Sequence, residues 1–194
     1  MRISVAGATG VIGIRLVRLL VIAGHDVAGM TRSPDKTAML RALGVAPVAC
    51  DVFDPLCLIR EVHRFRPELL VHLRTDLPDD ARQLRKHTAA NARIRREGTG
   101  NLLTAARAAK VRRVLAESIA WDPGGDAAAA KDELERAVLS AGGVVLRYGQ
   151  LYGPGTYHET AIPKPPRIHI DEAARRTVGS LAAPSGVITI TDTT

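Results

Sequence analysis

The chain of 194 residues has little cysteine, few aromatic residues and no long uninterrupted hydrophobic run. Its two cysteines, Cys50 and Cys57, are too few for a disulfide framework, and the first residues do not resemble an export signal, so we expect a cytoplasmic protein. Arg15 and Arg18 interrupt the longest apolar stretch before it reaches the roughly 20 residues that a transmembrane helix requires. The sequence therefore predicts a soluble protein with no membrane partner.

Aromatic residues make up only 3% of the chain, so few side chains are available to stack on nucleic-acid bases. The net charge of +7 would nevertheless attract polyanions. The arginines are scattered, and their densest cluster, at 82–96, is typical of the solvated beginning of a long helix. We therefore expect a phosphate-bearing cofactor rather than nucleic acid. A nucleic-acid function would require salt-dependent retention on DNA that the cofactor does not displace.

No metal site is predicted. Cys50 and Cys57 lack the spacing of zinc ligands. His158 and His169 are too isolated in the sequence to form a ligand cluster.

Short β-rich apolar runs alternate with longer helical patterns almost from one end of the chain to the other. This alternation predicts a single α/β domain, residues 1–194, built on a doubly wound parallel sheet of about seven strands. The predicted strands are 3–6, 27–30, 45–49, 69–73, 114–116, 144–146 and 187–190, and the predicted helices are 11–23, 36–43, 56–65, 88–109, 131–141 and 171–181.

The segment 154–167 is rich in proline and has no regular period, which predicts a loop at the carboxyl edge of the sheet. Open α/β sheets bind ligands at that edge, so the loop is placed to cover a ligand. Asp171 follows the short run 168–170 and is the predicted N-cap of the last helix.

A glycine-rich loop, Gly7-Ala8-Thr9-Gly10-Val11-Ile12-Gly13, separates the first strand from the first helix. Gly7 can make the sharp turn, Gly10 lets backbone N–H groups approach a pyrophosphate, and Gly13 lets the helix pack close to the strand. This context predicts a Rossmann-type domain that binds a dinucleotide. The expected cofactor contacts in the loop are Gly7, Thr9, Gly10, Val11, Ile12 and Gly13.

The end of the second strand indicates which dinucleotide is preferred. An acidic residue there would bind the ribose hydroxyls of NAD and repel a 2′-phosphate, but the sequence continues with Thr31, Arg32 and Ser33. A guanidinium and hydroxyl groups suit phosphate oxygens, so NADP is the expected cofactor and NAD stays possible. The alternative is that Arg32 is a solvated loop residue.

These features resemble the short-chain dehydrogenase/reductase superfamily, in particular the extended and atypical branches known as the NAD-dependent epimerase/dehydratase family. The resemblance runs through most of the chain and implies a Rossmann fold with a nicotinamide cofactor. The matching segments are 7–13, 51–52, 67–73, 98–106, 111–118 and 145–155.

The resemblance also implies cofactor contacts outside the glycine loop. Asp51 and Val52 would contact the adenine, although Asp51 could instead be a turn aspartate. The segment 73–75, with Leu73 and Arg74, would pass along the cofactor, and the segment 148–151, with Tyr148 and Leu151, would border the nicotinamide. Arg74 departs from the small residue usual in the family, so its guanidinium would either reach a phosphate or obstruct the site.

Family members catalyse proton transfer with serine, tyrosine and lysine, and the tyrosine precedes the lysine by four residues. Ser118 and Lys131 match the serine and the lysine, but the tyrosine position holds Ala127. Tyr148 is the preferred substitute, although a packing role is open for it, and Ser118 and Lys131 could likewise be structural. Further candidates for the missing acid are Tyr152, Tyr157 and His158.

The chain is short for this family, because the loop 154–167 stands where longer members build a C-terminal substrate lobe. An incomplete site suggests that a second subunit could contribute, so a homodimer is possible. We expect hydride transfer between NADPH and a small carbonyl or sugar-like substrate. The alternative is a sensor or regulatory protein that binds NADP(H) without turnover.

Overall fold

The computed structural model of the protein describes residues 1–78 and 80–192, so positions 79, 193 and 194 of the predicted domain lie outside the described part. Seven parallel strands form the central sheet in the order β3-β2-β1-β4-β5-β6-β9. This topology confirms the predicted doubly wound α/β fold. The strands are β1 (Arg2–Ala6), β2 (Asp26–Thr31), β3 (Ala46–Ala49), β4 (Leu69–His72), β5 (Arg113–Ile119), β6 (Val144–Tyr148) and β9 (Gly186–Ile190).

Helices connect the strands as the crossover pattern requires. The predicted helix 88–109 is divided by a π-helical turn, Ile94–Gly98. The helix predicted to start at 131 begins six residues earlier, because its first turns are rich in alanine, a strong helix former without an amphipathic pattern. The helices are α1 (Val11–Ile22), α2 (Thr37–Ala42), α3 (Pro55–Phe65), α4 (Thr88–Arg93), α5 (Thr99–Ala108), α6 (Gly125–Ser140) and α7 (Ile170–Gly179).

The sheet is covered on both faces, which explains why strands such as β4 are buried throughout. On one face, α1, α2 and α7 pack around residues such as Leu16, Leu146 and Ile170. On the other face, α3 and α5 cover the first half of the sheet and α6 covers β5 and β6 through Leu134 and Val138. None of the helices described here combines the length and apolar character needed to cross a bilayer.

The predicted loop 154–167 is irregular for most of its length, but two short strands flank it. These strands, β7 (Gln150–Tyr152) and β8 (Arg167–His169), pair in parallel as a separate small sheet. The predicted N-cap Asp171 is wrong, because the fully buried Ile170 already belongs to the helix and His169 is the extended N-cap residue. The Nδ1 atom of His169 accepts a hydrogen bond of 3.3 Å from the backbone N–H of Asp171.

Candidate functional site

The glycine loop forms a tight turn between β1 and α1 at the carboxyl edge of the sheet. Gly7 has a φ of +90°, and a Cβ atom there would lie 2.6 Å from the carbonyl oxygen of Leu73. A Cβ atom on Gly13 would lie 2.0 Å from the carbonyl oxygen of Gly7. These distances are too short for any other residue, so both glycines are required by the close approach of the backbone.

The N-terminus of α1 is open to an anion. Gly10 is the N-cap and provides no side-chain hydrogen bond, and the first turn contains no acidic residue. The first-turn N–H groups of a helix lack partners within the helix and carry partial positive charge. The turn therefore offers backbone donors to an anionic ligand.

The other loop residues have different surroundings. The side chain of Ile12 is buried in the core, so only its backbone can face a ligand, whereas Val11 is partly exposed. The hydroxyl oxygen of Thr9 lies 3.4 Å from that of Thr31 at the end of β2.

A small cavity of about 10 Å³ lies beside the glycine loop, below the ends of β1, β2 and β3. Met30, Cys50, Val52 and Arg74 are among its lining residues. This volume holds about one water molecule, so an adenine ring would fit only after lining side chains had moved. Asp51, beside the cavity, accepts a 3.0 Å hydrogen bond from the backbone N–H of Phe53 and thus makes the turn that the sequence left open as an alternative.

Two arginines and two aspartates form a charged cluster next to this cavity. The Nη2 atom of Arg32 donates to Asp76 Oδ1 over 2.8 Å, and half of the Arg32 side chain is exposed. Burial lowers the pKa of Arg74, and the nearby charge of Arg32 lowers it further, while Asp51 and Asp76 act in the opposite direction. The Nε atom of Arg74 is buried without a hydrogen-bond partner in the described structure. The cluster can therefore accept further negative charge.

Ser118 and Lys131 lie together, and both contact a residue that the sequence analysis missed, Glu135. The Ser118 hydroxyl donates to Glu135 Oε1 over 2.6 Å, and Lys131 Nζ lies 3.5 Å from the same oxygen. Arg147 of β6 donates to both carboxylate oxygens, over 2.9 and 2.5 Å. The spacing of four residues from Lys131 on a helix was the signal that could have identified Glu135.

These contacts determine the ionisation of Glu135. Burial raises its pKa, but hydrogen bonds from Arg147 and Ser118 and the charge of Lys131 outweigh burial, so the pKa lies below its usual value. Glu135 is therefore a carboxylate at neutral pH. The hydroxyl of Ser118, which is 1% exposed, is committed to this carboxylate.

Tyr148 lies away from Ser118 and Lys131, on the opposite face of the sheet. Its hydroxyl donates to Thr177 Oγ1 of α7 over 2.6 Å, because the Thr177 hydroxyl itself donates to the carbonyl of Ala173. The tyrosine is 3% exposed, and burial raises its pKa. This environment is that of a packing residue, which the sequence analysis left open. Leu151 is half-buried in β7.

The remaining candidate acids lie at the end of β7 and in the loop that follows it. The Tyr152 hydroxyl donates to Asp192 Oδ2 over 3.0 Å, and the Tyr157 hydroxyl donates to the carbonyl of Pro78 after β4. Arg15 of α1 donates to the carbonyl of Pro154 over 2.7 Å. These hydrogen bonds attach the loop 154–167 to α1 on one side of the carboxyl edge and to the segment after β4 on the other.

A second residue missed from the sequence, Glu117, precedes Ser118 near the carboxyl end of β5 and lies on the face of the sheet that carries Tyr148. It is only partly exposed, and burial raises its pKa to about 7, against the effect of the positively charged Arg95. Its carboxylate accepts no hydrogen bond from the residues that the structure describes. Glu117 can therefore exchange a proton near neutral pH.

His72, at the end of β4, cannot exchange a proton near neutral pH. Burial and the charges of Arg74 and Arg95 lower its pKa to about 3. Nδ1 accepts from the backbone N–H of Arg74, so Nε2 carries the proton and donates to Thr99 over 3.0 Å. His72 is therefore a neutral structural residue.

A larger cavity, of about 340 Å³, lies next to Lys131 between β5, β6 and the beginning of α6. Its walls include Trp121, Asp132 and Arg147. Ala127 lies in the first turn of α6, four residues before Lys131, so no phenol extends from that position. Within 1–78 and 80–192, no cluster of three or more histidine, cysteine, aspartate or glutamate side chains could hold a metal ion.

Comparison with known proteins shows a family match and several relatives. Residues 3–133 match the family described as NAD dependent epimerase/dehydratase. A Streptomyces sp. protein named 3-diazoavenalumate denitrifying reductase is 40% identical over an alignment of 187 residues, and the match covers 80% of this chain. The chain spans 58% of the length of that curated relative.

Solved structures share the fold. The UDP-glucose 4-epimerase of Thermus thermophilus in complex with NAD has a TM-score of 0.80 and 20% identity, over 98% of this chain and 78% of that chain. The Thermotoga maritima enzyme of the same name, solved with UDP-glucose, has a TM-score of 0.80 and 19% identity, over 98% and 77%. By its sequence match, which the shared fold accompanies, the chain belongs to the NAD-dependent epimerase/dehydratase family.

Proposed function

We propose that the protein is an NADP-dependent oxidoreductase that transfers hydride between NADPH and a small carbonyl or sugar-like substrate. The observation that carries this proposal is the uncapped N-terminus of α1 behind the Gly7 turn, because it provides backbone donors for a pyrophosphate. The names of the relatives support it, since one is a reductase and another was solved with NAD.

The residues of the glycine loop would hold the pyrophosphate through their backbone N–H groups. The cavity beside Met30 and Val52 would receive the adenine once lining side chains move, and Asp51 lies at its edge. Lys131, which is close to the ends of β5 and β6, is the proposed donor to ribose hydroxyls. When bound, the nicotinamide would supply or accept the hydride.

NADP is the proposed form of the cofactor because two guanidinium groups, those of Arg32 and Arg74, lie near one another at the adenine side of the glycine loop. A 2′-phosphate carries up to two negative charges and suits such a pair. Binding would require Arg32 to exchange its ion pair with Asp76 for the phosphate.

Glu117 is the proposed proton donor in place of the missing tyrosine. Its carboxyl group lies at the carboxyl end of a central strand and is partly protonated at neutral pH. Tyr148 does not take this role in our proposal, because its hydroxyl is buried against α7. Ser118 and Glu135 would instead position Lys131.

A second candidate function is a sensor that binds NADP(H) without turnover. Ala127 in place of the tyrosine and the commitment of the Ser118 hydroxyl to Glu135 favour it. Either function could involve a homodimer that completes the site, and light scattering at micromolar concentration would test that state. A monomeric mass would contradict it.

The experiment that separates the two functions is NADPH oxidation measured against a panel of aldehydes, ketones and keto-sugars, after NADPH binding has been measured by calorimetry. Turnover of any member supports the oxidoreductase. Binding without turnover across the panel supports the sensor, and no binding of NADPH or NADH contradicts both.

A further inference from the structure

The larger cavity, of about 340 Å³, is lined by both apolar and cationic residues. The apolar residues that line it are Ile119, Ala120, Trp121 and Ala128. Lys131 and Arg147 line the same cavity. Small-molecule sites in proteins have volumes of about 300 to 1,000 Å³, so this cavity has the size for one small ligand. The walls suit a ligand that combines an apolar body with a polar group.

Trp121 indicates what the apolar body is. It is the only tryptophan of the chain and lies in the segment between β5 and α6, where it is 37% exposed. No other aromatic ring among the described residues packs against its indole. A single exposed apolar side chain is ordinary on a protein surface, but this one lines a cavity that also contains two cations. Because aromatic rings pack favourably against one another, the indole favours a ligand with an aromatic ring.

The two cations keep hydrogen-bond donors available for a ligand. Lys131 Nζ lies 3.0 Å from Asp132 Oδ1 and 3.5 Å from Glu135 Oε1, which engages at most two of its three hydrogens. Arg147 uses Nε and Nη2 for Glu135, and its Nη1 atom makes no hydrogen bond to the residues that the structure describes. The Arg147 side chain is partly exposed, so a ligand in the cavity can accept a hydrogen bond from Nη1.

The charges around the cavity favour a neutral polar group over an anion. Asp122 and Asp132 also line the cavity, and Glu135 contacts both Lys131 and Arg147. Three carboxylates therefore balance the two cations, and an anionic ligand would add a further negative charge. A phenolic hydroxyl is neutral, accepts a hydrogen bond from a cation and donates one to a carboxylate.

The beginning of α6 leaves room for a ring beside Lys131. Ala127 lies one turn before Lys131 on the same face of the helix, and Ala128 lines the cavity, so both positions contribute only a methyl group. The next residue, Ala129, is exposed and does not line the cavity. A large side chain at 128 would therefore occupy the cavity, whereas the same side chain at 129 would not.

We propose that the substrate is a carbonyl compound with a phenolic ring, which lies against Trp121 and directs its hydroxyl group to Lys131 and Arg147. The aromatic wall selects the ring, and the mixed charges select a neutral hydroxyl group. This inference rests on the proposed function for the carbonyl group, whereas the phenol site follows from the cavity itself.

The test titrates ¹⁵N-labelled protein, without cofactor, with phenol and with two related probes. Methoxybenzene cannot donate a hydrogen bond, and cyclohexanol has no aromatic ring. The indole Nε1–H signal is followed, and it needs no assignment because Trp121 is the only tryptophan. We expect phenol to shift this signal saturably and to bind about fivefold more tightly than either related probe.

Two variants locate the bound phenol. Ala128→Phe should fill the cavity and weaken phenol binding by about tenfold or more, and the matched control Ala129→Phe should bind phenol like the unmodified protein. Trp121→Leu, measured by calorimetry, should weaken phenol binding by about fivefold and leave cyclohexanol binding unchanged. Because this indole is exposed, the second variant keeps the test decisive even if Ala128→Phe does not fold.

Four results would overturn the proposal: no shift of the indole signal at about 20 mM phenol, equal binding of cyclohexanol, tighter binding of benzoate or methyl glucoside, or unchanged phenol binding by folded Ala128→Phe. The proposed function is tested separately, because these titrations contain no cofactor. If phenol binds but NADPH does not bind or does not reduce 4-hydroxybenzaldehyde, the proposed function is contradicted while the phenol site is confirmed.

Discussion

The candidate site at the carboxyl edge of the sheet has two halves, and they are built differently. The half around the glycine loop depends on the backbone: Gly7 and Gly13 allow segments to approach closely, and α1 presents uncapped N–H groups. The half around β5 and β6 depends on side chains, among them Glu117, Arg95 and Glu135. A site built from backbone tolerates few changes, whereas a site built from side chains can change its chemistry while the fold persists.

The largest effect should follow from a change in the backbone half. Gly13→Val would place its Cβ atom 2.0 Å from the carbonyl oxygen of Gly7, so the turn cannot keep its shape. We expect a loss of NADPH affinity of more than about 100-fold and a lower melting temperature, measured by calorimetry and circular dichroism. Gly100→Ala is the control, because a Cβ atom there meets nothing within 4 Å and alanine favours a helix. If Gly13→Val still binds NADPH, the half around the glycine loop is no less tolerant of substitution than the half around β5 and β6.

The second largest effect should follow from a change in the side-chain half, around β5 and β6. Glu117→Gln should reduce turnover of a substrate found in the carbonyl panel by about 100-fold, because a proton donor is lost, while NADPH affinity stays the same. Reduction by the unmodified protein should slow as pH rises above the pKa of Glu117, about 7, since the protonated acid is the donor. Glu133→Gln is the exposed control on α6.

The carboxyl group of Glu117 should also affect the free energy of unfolding. Its pKa is raised from 4.5 to about 7 in the folded protein, so the folded state binds the proton more tightly than the unfolded state. Stability should therefore fall as pH rises through this range, and Glu117→Gln should reduce that fall in urea unfolding curves. An unchanged pH profile of turnover and stability would exclude Glu117 as the acid.

A smaller effect should distinguish the binding of NADPH from that of NADH in the backbone half, around the glycine loop. Arg32→Ala should weaken NADPH binding by about tenfold and leave NADH nearly unchanged, because only NADPH carries the 2′-phosphate. Asp76→Asn should strengthen NADPH binding by a few-fold, since it releases Arg32 from its 2.8 Å ion pair. Arg41→Ala, on the exposed part of α2, is the control. Equal effects on NADPH and NADH would show that Arg32 does not read the phosphate.

The sequence alone predicts those parts of the structure that depend on local sequence patterns. The strands and the glycine turn follow from apolar runs and from residue spacing, which depend on neighbours in the chain. The structure confirms the doubly wound parallel sheet, for which crossover connections leave few alternative topologies.

The side-chain half could not be predicted in the same way. Whether Tyr148 shares a face with Ser118 depends on the pairing of Ile119 with Tyr148 and of Ser118 with Arg147, which are long-range contacts. Arg95 is mostly buried within a π-helical turn that the apolar pattern of 88–109 does not reveal. Both features require knowledge of how distant segments pack.

The central claim is that the backbone N–H groups at the start of α1 bind the phosphates of a nicotinamide dinucleotide. The most direct measurement is the ¹H–¹⁵N spectrum of the protein during titration with NADPH. We predict large, saturable shifts of the amide signals of Gly10, Val11, Ile12 and Gly13, with smaller shifts at the exposed end of α2. If these four signals do not move at millimolar NADPH, the phosphate site proposed here does not exist.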